Sequence, residues 1–112
     1  MSKQVLSDGE ETLDRDLKCY KIPFVREFRF DPKRKWRVDF ILPGRWAVEV
    51  EGGSWSNGRH SRGKGFASDC EKYNSLALQG YHLLRFTSEQ VNSGYAIDTI
   101  QTALRQTKAA SF

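Results

Sequence analysis

Three acids stand where they can meet. Asp39 lies in an alternating run, Trp36 to Leu42, and Glu49 and Glu51 lie two apart in the next run, Arg45 to Glu51. Residues two apart on a strand share a face, so Glu49 and Glu51 project together. Strands of a hairpin run about 4.8 Å apart, which lets Asp39 and Glu49 share a divalent cation. Hard carboxylate oxygens suit Mg²⁺, with Mn²⁺ as its substitute, and such an ion polarises a phosphodiester and acidifies a bound water. The strand runs straight into Gly52-Gly53, where backbone can approach a ligand closely. Solvated acids on an open sheet give the same spacing. Helices expected on both sides of this sheet argue instead for a covered face, where unpaired acids are costly.

Other chemistries fare worse. No His/Cys cluster has zinc spacing, and Ser54 and Ser61 have no triad partners. His60 stands in a glycine-rich segment, where it either activates water or binds phosphate, or is an ordinary loop residue. Cys19 and Cys70 are far apart and form either a disulfide or, in the favoured reading, two free thiols of a reducing cytoplasm.

The chain has 112 residues, 18 Lys+Arg against 14 Asp+Glu, and a net charge of +4. One small domain is expected over residues 1–112, with its core at about 8–106. The bases cluster. Arg26, Arg29, Lys33, Arg34, Lys35 and Arg37 fall close together, as do Arg59, His60, Arg62 and Lys64. Such clusters form either a phosphate-facing surface or a solvated hairpin tip. On the first reading Arg34, Lys35, Arg37, Arg59, Arg62 and Lys64 bind a nucleic-acid backbone. Trp55 then stacks on bases or packs over its own loop. No apolar run reaches membrane-spanning length, and the first residues lack the apolar core of a signal peptide.

The elements that must position these residues follow from periodicity. Ser7 or Asp8 caps a first helix carrying Leu13 and Leu17 on one side and ending near Lys18 to Tyr20. Phe24 to Phe30 alternates, Asp31 to Lys35 is a polar turn, and Trp36 to Leu42 places Trp36, Val38, Phe40 and Leu42 on one face. Pro43-Gly44 turns the chain into Arg45 to Glu51, with Trp46, Val48 and Val50 inward. Residues 52–65 hold five of the nine glycines and read as a long loop. Phe66 to Leu78 is helical, with Phe66, Cys70, Tyr73 and Ala77 on one side. Gly80 stops it. Tyr81 to Phe86 is a strand, and Ser88 caps a final helix broken near Ser93-Gly94. The order is α-β-β-β-α-β-α.

Trp36-Arg37-Val38-Asp39-Phe40, Ala47 to Gly53, Gly58-Arg59-His60, Asp69-x-Glu71-Lys72-Tyr73 and Gly80 to Phe86 together resemble the small Vsr-like branch of the PD-(D/E)XK nucleases, many of them phage- or prophage-encoded. The resemblance covers about residues 10–100. It implies a restriction-endonuclease-like α/β fold: an α-β-β-β-α-β core with a C-terminal helix, its mixed sheet flanked by helices. It places Asp39 and Glu49 on the metal, aided by Glu51 or the carbonyl of Val50. Position 51 departs from the superfamily pattern, which has Lys there. The resemblance therefore moves the basic role to the following helix, to Lys72 or else Lys64. It also implies a further acid from the first helix, Glu10 or Glu11, with Glu27 of the first strand as the alternative. Some relatives place a catalytic His after a G-x-x-W segment, which points to His60.

The resulting expectation is a Mg²⁺-dependent DNA endonuclease of the host bacterial cytoplasm. It is structure-selective on branched DNA, in the manner of a junction-resolving homodimer. The alternatives are a nicking enzyme acting at mismatches or particular sequences, and an inactive nucleic-acid-binding module.

Overall fold

A computed structural model describes residues 8–52 and 64–110. Helix α1 (Asp8–Cys19) leads into strands β1 (Val25–Arg29), β2 (Arg37–Leu42) and β3 (Trp46–Glu51). Helix α2 (Lys64–Leu78), strand β4 (His82–Thr87) and helices α3 (Ser88–Asn92) and α4 (Tyr95–Ala110) follow. The strands form one sheet in the order β1-β2-β3-β4. The first three are antiparallel, and β3 and β4 are parallel, so α2 is the crossover that a parallel pair requires. This α-β-β-β-α-β order, with its mixed sheet between helices, is the restriction-endonuclease-like core expected above.

The helix ends obey local rules. Ile22 N–H donates to Leu17 O at 2.9 Å and Lys21 N–H to Lys18 O at 3.0 Å, closing α1 with Lys21 at φ 58°. Tyr81 N–H to Leu76 O and Gly80 N–H to Ala77 O close α2 in the same way, with Gly80 at φ 89°. The break at Ser93-Gly94 lies between α3 and α4, as expected. The cap of α3 is Thr87, not Ser88. Thr87 Oγ1 accepts from Gln90 N–H at 3.1 Å while the Gln90 side chain accepts from Thr87 N–H at 3.0 Å. That reciprocal box satisfies two orphan donors, which a lone Ser cap does not.

The two faces of the sheet are filled differently. On one, Phe40, Leu42, Val48 and Phe86 pack with Leu13 and Leu17 of α1, Val91 of α3, and Ala96, Ile97 and Ile100 of α4. On the other, Leu76 of α2 meets Phe30, Val38 and Ala47. Val38 and Phe40 thus lie on opposite faces, against the alternation read from sequence. The ladder keeps its register, Arg26 opposite Phe40 and Phe28 opposite Val38. Between them Glu27 adopts φ 52°, a left-handed step that rotates the strand. The facing strand turns over at Asp39 with it. In α2 the inward residue is Leu76, 1 % exposed, whereas Phe66 is 58 % exposed and Cys70 and Ala77 face out. The helix meets the sheet through its second half.

Asp31 ties the basic turn to α2. Its Oδ1 accepts from the Lys33 and Arg34 N–H groups at 2.8 and 2.9 Å, and its Oδ2 accepts from Ser75 Oγ at 2.7 Å. These bonds, the one from Ser75 foremost, hold its carboxyl below the usual range.

Candidate active site

The place where β1 and β2 turn over is where the acids gather. Ligand oxygens of Glu10, Glu27 and Asp39 lie within 4.8 Å of one another. Glu10 arrives from the first turn of α1, which Gly9 lets sit against the sheet. A Cβ on Gly9 would stand 2.9 Å from Val50 Cγ1 and 3.1 Å from Ser88 Cα, so only hydrogen fits there. Arg26 holds the helix from below. Its Nη2 is 2.6 Å from Glu10 Oε1, and its Nη1 is 3.1 Å from Asp14 Oδ2 and 3.5 Å from Glu11 Oε2. Its guanidinium lies 5.0 Å over the Phe40 ring. Arg37 Nε stands 3.7 Å from Glu27.

Asp39 is the most perturbed acid of the group. Burial pushes its carboxyl up to about 7. A hydrogen bond from Val50 N–H to Oδ2, at 2.8 Å, opposes the rise, and the charges of Glu10 and Glu49 add to it. Glu49 therefore belongs to the same electrostatic group, from the other side of Asp39. Negative charge here outruns its compensation. An all-oxygen donor set of this kind fits a hard divalent cation such as Mg²⁺ or Mn²⁺.

Glu49 is 7 % exposed and fully partnered. Lys72 Nζ donates to its Oε2 at 2.7 Å, and the Tyr73 hydroxyl donates to its Oε1. Burial and that bond to a carboxylate both push the Tyr73 phenol up. Glu51, on the same face as expected, accepts from Arg85 Nε at 2.9 Å and also from Nη2. Arg85 in turn lies 5.0 Å over the Tyr73 ring. A cavity of about 400 Å³ opens beside this network, lined by Phe66, Asp69, Cys70, Tyr73, Asn74 and Arg85.

The structure brings together Asp39, Glu10, Glu27, Glu49 and Lys72 of the residues named from sequence. Of the two first-helix acids, Glu10 joins the group, whereas Glu11 is 55 % exposed and, among the described residues, pairs with Arg26. Val50 contributes its backbone N–H to Asp39. Glu51 is drawn off to Arg85. Lys64 is the first residue of α2. Arg34, Lys35 and Arg37 are exposed, with Arg34 stacked 3.9 Å over Trp36 and 3.7 Å from Glu71. Trp55, Arg59, His60 and Arg62 lie outside the described residues. Cys19 and Cys70 are exposed free thiols.

Sequence reasoning passed over Tyr73, Arg26 and Arg85, and held Glu27 only in reserve. Glu27 and Asp39 are equidistant from the turn centre at Lys33, a signal that places them opposite each other in a hairpin. Tyr73 precedes the buried Leu76 by three residues, so it shares the sheet-facing side of α2.

No protein-family model matches the sequence, and no curated protein matches it. The fold is similar to that of the catalytic domain of the homing endonuclease I-Bth0305I. The TM-score is 0.58 at 23 % identity, over 88 % of this chain and 91 % of that domain. At this identity the likeness is one of fold.

Proposed function

We propose that this chain is a divalent-metal-dependent DNA endonuclease that hydrolyses phosphodiester bonds. The observation that carries the reading is the convergence of Glu10, Glu27 and Asp39 within 4.8 Å, with Glu49 close enough to raise the Asp39 carboxyl. The fold likeness to an endonuclease catalytic domain supports it. In this reading Asp39 and Glu49 hold Mg²⁺ or Mn²⁺, aided by Glu10, Glu27 and the carbonyl of Val50, with Glu51 at the end of the same strand. The bound ion supplies an acidified water and a polarised phosphate. Lys72 offsets the charge that grows on the attacked phosphate. His60, between β3 and α2 in the sequence, activates water or binds phosphate.

Arg34, Lys35 and Arg37 on the basic turn, with Arg59, Arg62, Lys64 and Trp55, hold the nucleic acid. Backbone contacts position DNA without reading its sequence. That favours recognition of a branched structure; junction resolution by a cytoplasmic homodimer is the form that the size of the chain and the family resemblance suggest. Among the described residues no helix is long and apolar enough to cross a membrane.

The test is incubation with four-way junction, flap, mismatched and linear duplex DNA, in Mg²⁺ or EDTA. Cleavage of the junction in Mg²⁺, absent in EDTA and in Asp39→Asn, is expected. Nicking of the mismatched duplex alone would replace junction resolution with a mismatch-directed activity. Binding without metal-dependent cleavage would leave only the inactive-module reading.

A further inference from the structure

Glu49 has two partners of different kinds, and the difference assigns them different jobs. Tyr73 is anchored: its ring lies under the Arg85 guanidinium at 5.0 Å, and Arg85 is itself held by Glu51. Lys72 reaches the site on a flexible stem, its Nζ 5.3 Å over the Tyr73 ring. Its Nζ sits 2.7 Å from Glu49 Oε2, with side-chain exposures of 17 % and 10 % for the two partners. Its ammonium thus lies on a carboxylate oxygen of the residue next to Val50, whose N–H holds Asp39 within the acidic group.

We propose that Lys72 is an internal stand-in for the divalent cation. In the metal-free chain its ammonium neutralises Glu49, while Tyr73 holds the other oxygen and fixes the carboxylate in place. A divalent cation must compete with Lys72 for Oε2. The displaced ammonium, kept close by its stem, is then free to meet the phosphate. This rests on the nuclease reading and extends it, because it makes Lys72 and Tyr73 act on metal affinity in opposite directions.

Mn²⁺ binding, followed by electron paramagnetic resonance without DNA, reads the competition apart from turnover. Lys72→Met removes the competitor. Mn²⁺ should then bind at least about 5-fold more tightly, the upper end for an exposed ion pair, while single-turnover cleavage falls roughly 10²–10³-fold. Lys72→Gln, a second neutral variant should the first fail to fold, should shift affinity the same way. Tyr73→Phe keeps the ring and loses the anchor, so Mn²⁺ should bind more weakly. In a Glu49→Gln background Lys72→Met should leave Mn²⁺ affinity unchanged. Thermal midpoints in EDTA establish that each variant is folded. Unchanged or weaker Mn²⁺ binding in both folded Lys72 variants, with a parent that binds Mn²⁺ and cuts DNA, would overturn this proposal alone. A parent that neither binds Mn²⁺ nor cuts DNA would overturn the nuclease reading and this proposal with it.

Discussion

On the side of α1, α3 and α4 the sheet buries Phe40, Leu42, Val48 and Phe86 against three helices. On the side of α2 the buried apolar group is Phe30, Val38, Ala47 and Leu76, and the next inward position of β3 is the acid Glu49, held by Lys72 and Tyr73. The first face gains its free energy from area removed from water, which is non-directional and tolerant of small shifts. The second spends buried volume on charges that must each be partnered. One face therefore serves packing alone, and the other carries a partnered network of charges. Asp39, at the point where β1 and β2 turn over, lies between the two.

The largest effect belongs to the apolar face. Phe40 is fully buried, carries the Arg26 guanidinium and packs edge-on to Phe24 at 5.6 Å. Phe40→Ala should cost about 3–5 kcal/mol in denaturant unfolding. Tyr73→Phe on the other face should cost about 1 kcal/mol, the scale of one hydrogen bond. Equal losses would break the division of labour between the faces.

Gly9→Ala sharpens the link between them. The added methyl meets Val50 and the Ser88 backbone, so α1 must withdraw and take Glu10 with it. A loss of about 1–3 kcal/mol with weaker Mn²⁺ binding is expected. A loss of stability with unchanged Mn²⁺ binding would detach Glu10 from the site.

Asp39 makes a pH-dependent version of the same comparison. Its carboxyl is raised from 3.8 to about 7 in the folded chain. Between those values the folded protein keeps a proton that the unfolded chain releases, so this group makes stability fall as pH rises across that window. Asp39→Asn removes the effect. In EDTA the variant should melt above the parent at pH 8, and the difference should vanish by pH 4. Mg²⁺ should raise the parent's midpoint at pH 8 and leave that of Asp39→Asn nearly unmoved. A variant that melts below the parent at pH 8 would mean that the bond from Val50 outweighs the crowding. The smallest effect is at the cap: Thr87→Ala should cost about 1 kcal/mol, with Mn²⁺ binding unaffected.

Much of this was legible in the residues themselves. The α-β-β-β-α-β order follows from two periodicities and a few turn residues. Leu13 and Leu17 are buried at the helical spacing that predicted it, and Gly80 ends α2 because a left-handed cap favours glycine. The common face of Glu49 and Glu51 follows from the pleat alone. Lys72 came from a resemblance that moved the basic role to the helix, and the structure sets it against Glu49.

The tertiary structure decided the rest, because it depends on contacts that no local period encodes. Alternation through β2 put Val38 and Phe40 together. The structure parts them opposite the left-handed residue Glu27 of another strand, and nothing within Trp36 to Leu42 reports that. The selection of Glu10 over Glu11 depends on how deeply α1 seats, which Gly9 sets against Val50 and Ser88. The partners of Glu49 come from a helix that the chain reaches only after residues 52–63. Local sequence specifies which side chains an element offers to each side, whereas packing between elements specifies which of them meet.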